Sequence, residues 1–200
     1  MKKRTLLYFG SFNPIHIGHL AIANYAMVSG IAEELWFVVS PQNPFKAGET
    51  LAPQEERLEM VRMAIRESGL NGMMCASDVE FGLPAPSYTI RTLEKLWSDY
   101  PDREFSILMG EDNFASIERW KEPERILENC PVYVYRRSGN QPMNTHYNVY
   151  NIHLLTDVPL LEISSTQLRG LLAAGKEIPA LLPPGVYQFI KTHGLYRING

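Results

Sequence analysis

Cysteine is scarce, with two in 200 residues, Cys75 and Cys130. Neither sits in a CxxC pair and their spacing fits no metal-ligand pattern, which excludes a disulfide framework and a zinc ribbon. Long apolar runs are missing too. After Met1-Lys2-Lys3-Arg4 the apolar stretch before Gly10 is too short for a signal-peptide core, and no segment approaches the roughly 20 apolar residues that cross a bilayer. A cytoplasmic chain without a membrane partner is expected. Charge of one sign is also lacking: the net charge of −3 gives no broad basic face, so nucleic acid is not an expected partner and any cationic site must be local. There is no internal repeat, low-complexity tract or heptad run. With 45% apolar residues the chain can bury a core unaided, and both thiols are expected in or near it.

Residues 5–9 are β-branched, aromatic or Leu and stop at Gly10, and a periodic segment follows over 17–28, which reads as strand, loop, helix. Residues 34–40 are apolar on both faces, the mark of a parallel strand covered by helices on either side. A polar loop is expected at 41–53. A helix over 53–68 follows, with acidic residues in its first turn and Gly69 as its stop. Further strands are predicted at 73–76, 105–109, 132–135 and 152–155, with helices at 88–97, 165–174 and 185–192 and a second loop at 138–150. Strands and helices alternating in this way predict an α/β domain with a doubly wound parallel sheet, its ligands at the carboxyl ends of the strands. The whole chain, 1–200, reads as one domain, with 163–200 as a small C-terminal helical part.

The most informative string is Gly10-Ser11-Phe12-Asn13-Pro14-Ile15-His16-Ile17-Gly18-His19, between the first strand and the first helix. A helix N-terminus offers unpaired N–H groups and partial positive charge to phosphate oxygens. His16 and His19, three apart, fall on one helical face, where both can reach such an anion, and Gly18 permits close approach. A zinc site would need a third ligand, and no HExxH or nearby cysteine supplies it. Ile163-Ser164-Ser165-Thr166-Gln167-Leu168-Arg169 also opens a helix. Ser164 with Gln167 fits a capping box, which is its plain structural reading. Outward hydroxyls and Arg169 one turn on would make it a second anion cradle.

These two strings together resemble the HxGH nucleotidyltransferase superfamily, and the rest of the chain is similar to its bacterial nicotinate mononucleotide adenylyltransferase branch. The similarity runs through Asn43-Pro44-Phe45-Lys46, Pro86-Ser87-Tyr88-Thr89, Gly110-Glu111-Asp112, Trp120 and Leu195-Tyr196. It implies a Rossmann-like nucleotidyltransferase fold and transfer of AMP from ATP to nicotinate mononucleotide, giving nicotinate adenine dinucleotide and pyrophosphate by direct in-line displacement. His16, His19 and Lys46 would be catalytic. ATP would meet Gly10, Ser11, Phe12, Gly18, Gly110, Asp112, Ile163, Ser164, Ser165 and Arg169. The mononucleotide would meet Asn43, Lys46, Tyr88, Thr89, Trp120, Lys121 and Arg137, its ring stacked on the Trp120 indole and its carboxylate on backbone N–H groups near Thr89 and Lys121. Magnesium would arrive mainly on the ATP phosphates, without a protein-built metal site. The oligomeric state stays open, a homo-oligomer included.

Each role has a plainer counterpart: Lys46 as an exposed loop lysine, Trp120 as a core anchor beside Pro123 and Ile126, Asp112 as a helix cap. Two departures from the family pattern stand out, Arg91 where an acidic residue is usual and Ser138 where proline is usual. Three rival functions remain. A sister transferase acting on phosphopantetheine or forming a CDP-alcohol shares the scaffold, but Tyr88-Thr89, Trp120 and Leu195-Tyr196 argue against it. A class I aminoacyl-tRNA synthetase shares His16-Ile17-Gly18-His19 but needs a KMSKS-like loop and a longer chain. A non-catalytic nucleotide-binding module would need none of the four cations His16, His19, Lys46 and Arg169.

Overall fold

A computed structural model describes residues 1–42, 50–70, 72–136, 150–159 and 161–197. Six strands, β1 (Lys3–Gly10), β2 (Glu34–Val39), β3 (Met74–Ser77), β4 (Arg103–Gly110), β5 (Val132–Tyr135) and β6 (Ile152–Leu155), form one sheet. All pair in parallel, in the order β3-β2-β1-β4-β5-β6. The larger helices are α1 (Ile17–Val28), α2 (Gln54–Glu67), α3 (Thr89–Asp99), α6 (Ser165–Ala173) and α7 (Pro184–His193), with short helices α4 (Glu111–Phe114) and α5 (Pro123–Asn129) between β4 and β5.

The strands are apolar on both faces because each face has its own core. Leu6 and Tyr8 of β1, with Leu35, Phe37 and Val39 of β2, enter one cluster together with α1, α2, α6 and α7 residues. Leu7, Trp36 and Val38, the alternate residues, enter a second cluster with Ile90, Leu93 and Leu96 of α3 and Ile126 of α5. The spacing of those three α3 residues, Ile90, Leu93 and Leu96, puts a single stripe on the sheet. Strand and helix positions agree with the sequence expectations to within about two residues. The short helices α4 and α5 are too brief to leave a full hydrophobic period, and α5 went unforeseen.

One expectation is corrected. Cys130 is buried, but Cys75 is exposed. It lies on the edge strand β3, next to inward-facing Met74, so alternation carries the thiol outward. The loops expected at 41–53 and 138–150 fall largely outside the described residues.

Candidate active site

In this strand order the chain leaves β1 toward opposite sides of the sheet, and a crevice opens at the carboxyl ends of β1 and β4. Both strands end on glycine for a steric reason. A Cβ on Gly10 would stand 2.9 Å from the Phe12 ring, and one on Gly110 would stand 2.5 Å from Asp112 Oδ1 and 3.3 Å from the Tyr135 ring. Phe12 adopts φ 44°, in the left-handed region that disfavours a side chain. Burial holds it there: its ring is 2% exposed and meets Tyr8, Phe37 and His19 edge-on, at 5.2 Å from His19. The Phe12 side chain is therefore part of the floor under His19.

His16 is the N-cap of α1 and His19 its third residue, and their rings stack at 3.7 Å. The His16 backbone N–H donates to His19 Nδ1 at 3.2 Å. That bond makes Nδ1 an acceptor, so the neutral ring carries its proton on Nε2. His19 is partly exposed, whereas His16 is only 3% exposed, so the His19 ring is the more accessible of the two. Gly18 has a local role as well: a Cβ there would stand 3.0 Å from the His16 ring.

The second motif behaves partly as its plain reading foresaw. Ser164 caps α6, its Oγ accepting from the Gln167 N–H at 3.2 Å while its own N–H donates to Gln167 Oε1 at 3.1 Å. Ser165 Oγ donates to the Pro14 carbonyl at 2.9 Å, and Arg169 Nη1 donates to the Asn13 carbonyl at 2.9 Å. Ser164 thus caps the helix as its plain reading expects, and Ser165 fastens it to the loop after β1. Ile163 shares a small cleft with His16, Gly18 and His19. The two sequence motifs form one assembly.

Arg57 was not foreseen. It reads as one more charge on an amphipathic helix, yet it is 1% exposed. Its guanidinium donates to the carbonyls of Ser11 at 2.6 Å, Ser40 at 2.8 Å, Ala52 at 2.9 Å and Pro41 at 3.2 Å. The loops after β1 and β2 are thereby tied to α2. Asn13, fully buried, adds a second knot: its Oδ1 accepts from the Ala52 N–H at 3.1 Å and from the Tyr196 hydroxyl at 2.9 Å.

Next to this assembly lies a cavity of about 380 Å³ whose wall includes Gly10, Tyr88, Thr89, Trp120 and Lys121. Thr89 is the first residue of α3, and no side chain among the described residues caps that helix end. Arg91 stands 5.1 Å and Lys121 5.2 Å from the centre of the Tyr88 ring. The unusual Arg91 is accordingly a cation on an aromatic face. Trp120, partly buried, packs on the second core while lining the cavity. Asp112 is exposed at the start of α4. Asn43, Lys46 and Arg137 lie outside the described residues.

A second unforeseen residue of the wall is Glu80, 2% exposed. Thr92 Oγ1 donates to its Oε1 at 2.7 Å. Burial pushes its carboxyl above the usual range, against smaller opposing pulls from the hydroxyls of Thr92, Ser40 and Ser87. Nothing in the local sequence, Asp78-Val79-Glu80-Phe81, marked this glutamate as buried.

The cytidylyltransferase-like family model matches residues 7–171. A probable nicotinate-nucleotide adenylyltransferase of Flavobacterium johnsoniae is 44% identical over 192 residues, covering 96% of this chain and 97% of the relative. One from Bacteroides fragilis is 46% identical over 189 residues, covering 94% and 92%. Among solved structures, the Plasmodium falciparum nicotinic acid mononucleotide adenylyltransferase complexed with NaAD superposes with a TM-score of 0.82 at 20% identity, covering 97% of each chain, a likeness of fold. With strand order, glycine-ended β1 and β4 and the joined motifs in agreement, the chain belongs to the cytidylyltransferase-like family and, within it, to the nicotinate-nucleotide adenylyltransferases.

Proposed function

We propose that this protein transfers AMP from ATP to nicotinate mononucleotide, releasing pyrophosphate and forming nicotinate adenine dinucleotide, the precursor of NAD. The observation that carries the reading is the cavity bounded by Tyr88, Thr89, Trp120 and Lys121, placed directly beside the His19 loop at the sheet crevice. A flat aromatic ring fits against the indole, and a ring carboxylate, which only accepts hydrogen bonds, fits the start of α3, which no described side chain caps.

A 5′-phosphate oxygen of the mononucleotide forms a bond to the α-phosphorus of ATP while the bond from that phosphorus to the bridging oxygen breaks. Pyrophosphate leaves with the electron pair. The chain's part is positioning and charge stabilisation, and no covalent enzyme intermediate is needed. His19 donates from Nε2 to the phosphates as negative charge moves onto the leaving group. The α6 assembly, with Arg169, holds the outer phosphates, and Asp112 faces the adenosine. Magnesium would enter on the ATP phosphates and offset their charge. Lys46 and Arg137 would add charge beside the phosphates, and Asn43 a polar contact to the mononucleotide. The free thiols suit work in a reducing cytoplasm, and no helix among the described residues is long and apolar enough to cross a membrane.

The test is pyrophosphate release with ATP, magnesium and a panel of phosphorylated acceptors. Nicotinate mononucleotide should be preferred over its amide by about two orders of magnitude in kcat/KM, from one or two mismatched buried contacts. Activity confined to phosphopantetheine, or equal use of acid and amide, would refute the reading.

A further inference from the structure

Beyond α7 the chain turns back to the loop after β1. Gly194 and Tyr196 both take left-handed backbone, at φ 65° and 62°, which glycine adopts freely and tyrosine does not. Tyr196 is held there by its partly buried ring, packed on the first core, and by its hydroxyl, which donates to Asn13 Oδ1 at 2.9 Å. Phe12, next to Asn13, is left-handed as well, so two of the three such non-glycine residues described meet at one buried asparagine. Outliers of this kind persist only where their surroundings over-determine them, and they gather at functional sites. Asn13 is a junction. Its Oδ1 also accepts from the Ala52 N–H at 3.1 Å, its Nδ2 donates to the Thr50 carbonyl at 3.4 Å, and its own carbonyl accepts from Arg169 Nη1 at 2.9 Å. The next carbonyl, that of Pro14, accepts from Ser165 Oγ at 2.9 Å. Burial pushes the Tyr196 hydroxyl above the ordinary tyrosine range, against smaller pulls from the nearby Arg57 and Arg169, so it remains a donor.

We propose that Tyr196 is a positioning residue for the ATP half of the site: its hydroxyl fixes Asn13, and Asn13 in turn holds the carbonyl on which Arg169 is seated. This rests on the function proposed above, in which Arg169 holds the outer phosphates. The segment after α7 thus acts on ATP without touching it. Asn13, Arg169 and Tyr196 are not in the described wall of the mononucleotide cavity, so mononucleotide affinity is spared. The coupling is reciprocal: if docking of Tyr196 favours ATP, then ATP favours docking of Tyr196 by the same factor.

Tyr196→Phe in the intact protein keeps the ring and removes the hydroxyl alone. Calorimetry at a temperature where both proteins are folded should show Kd for ATP raised about fivefold or more, the lower end of ordinary coupling between sites, with Kd for nicotinate mononucleotide unchanged. Arg169→Ala should cost less ATP affinity in the Tyr196→Phe background than in the wild type, because both act through Asn13. A hydroxyl that only braces the fold would lower Tm and leave both Kd values alone. A second measurement needs no variant. In the wild type, saturating ATP should slow hydrogen exchange at the Leu195 and Tyr196 amides by about the same factor, and the mononucleotide should not. An unchanged ATP Kd in folded Tyr196→Phe, equal weakening of both ligands, or additive effects with Arg169→Ala overturns the Tyr196 assignment alone. Should the variant not fold, exchange at 195 and 196 that is indifferent to ATP overturns it instead. A wild type that neither binds ATP nor adenylylates nicotinate mononucleotide brings down the proposed function and the assignment with it.

Discussion

At the scale of single residues, the bond from the His16 backbone to His19 Nδ1 has a chemical consequence: the ring is orientated before any ligand arrives. A donor that needs no reorganisation is worth more to a charged transition state than one that must turn into place. His19→Ala should lower turnover roughly a hundredfold or more, the scale of losing one charge-stabilising donor. Because the ring also rests on Phe12 and Tyr8, a modest loss of Tm is expected as well. Turnover close to wild type would remove His19 from the chemistry. Glu80 has a separate effect on stability. Its carboxyl titrates higher in the folded chain than in the unfolded one, so the folded state holds the proton longer. Its contribution is complete below the ordinary glutamate range and is lost as pH rises toward the raised folded value. Urea unfolding across that window should show wild type losing stability relative to Glu80→Gln as pH increases. A constant difference would mean that burial does not perturb the group.

Between elements, the loops at the carboxyl ends of the strands are held by a few long-range polar side chains. Arg57 serves four carbonyls from three loop segments. Replacing it by Leu leaves those carbonyls without their donor, and about 2–5 kcal/mol of stability should be lost in chemical denaturation, with activity falling further because the loop after β1 loosens. Arg57→Lys should rescue only part, since a single ammonium cannot reproduce the planar fork. Loss below about 1 kcal/mol would make the cluster incidental. Arg169 links α6 to the Asn13 carbonyl, so Arg169→Ala should weaken ATP binding more than mononucleotide binding in calorimetry; equal effects would assign it to bracing alone. The sequence motifs located these elements well, because glycine ends, paired histidines and a capping box are local patterns. It did not expose Arg57 or Glu80. Their roles depend on carbonyls and hydroxyls that only the folded sheet brings near, and a charged letter in a sequence carries no sign of burial.

Over the whole molecule, the two-sided apolar strands were legible because a parallel sheet between two helical layers demands them, and both cores confirm it. The order β3-β2-β1-β4-β5-β6 was foreseen only as a doubly wound sheet, since pairing partners far apart in the chain leave no local trace. The tight Gly10 and Gly110 ends were visible as glycines, but their reasons, the Phe12 ring and the Asp112 and Tyr135 side chains, were not. Trp120→Ala tests this larger arrangement, since the indole joins the second core to the cavity. It should lower kcat/KM for acid and amide mononucleotides together and leave their ratio nearly unchanged. A changed ratio would place the indole among the groups that read the carboxylate.

The central place of β1 also bears on how the molecule is made. Its first neighbour, β2, begins about thirty residues along the chain, while its other neighbour, β4, begins about a hundred residues along. As the chain leaves the ribosome, β1, α1, β2, α2 and β3 can gather into a half-sheet while the far edge of β1 stays bare. The crevice comes into being when β4 fills that edge. A nascent chain halted before Arg103 would then hold the His16 and His19 loop in outline but have no second wall, so ligand affinity should arise late in synthesis and abruptly rather than by degrees. Until then the uncovered edge of β1 is open to pairing with other chains, and prompt arrival of β4 protects the newborn protein from aggregation.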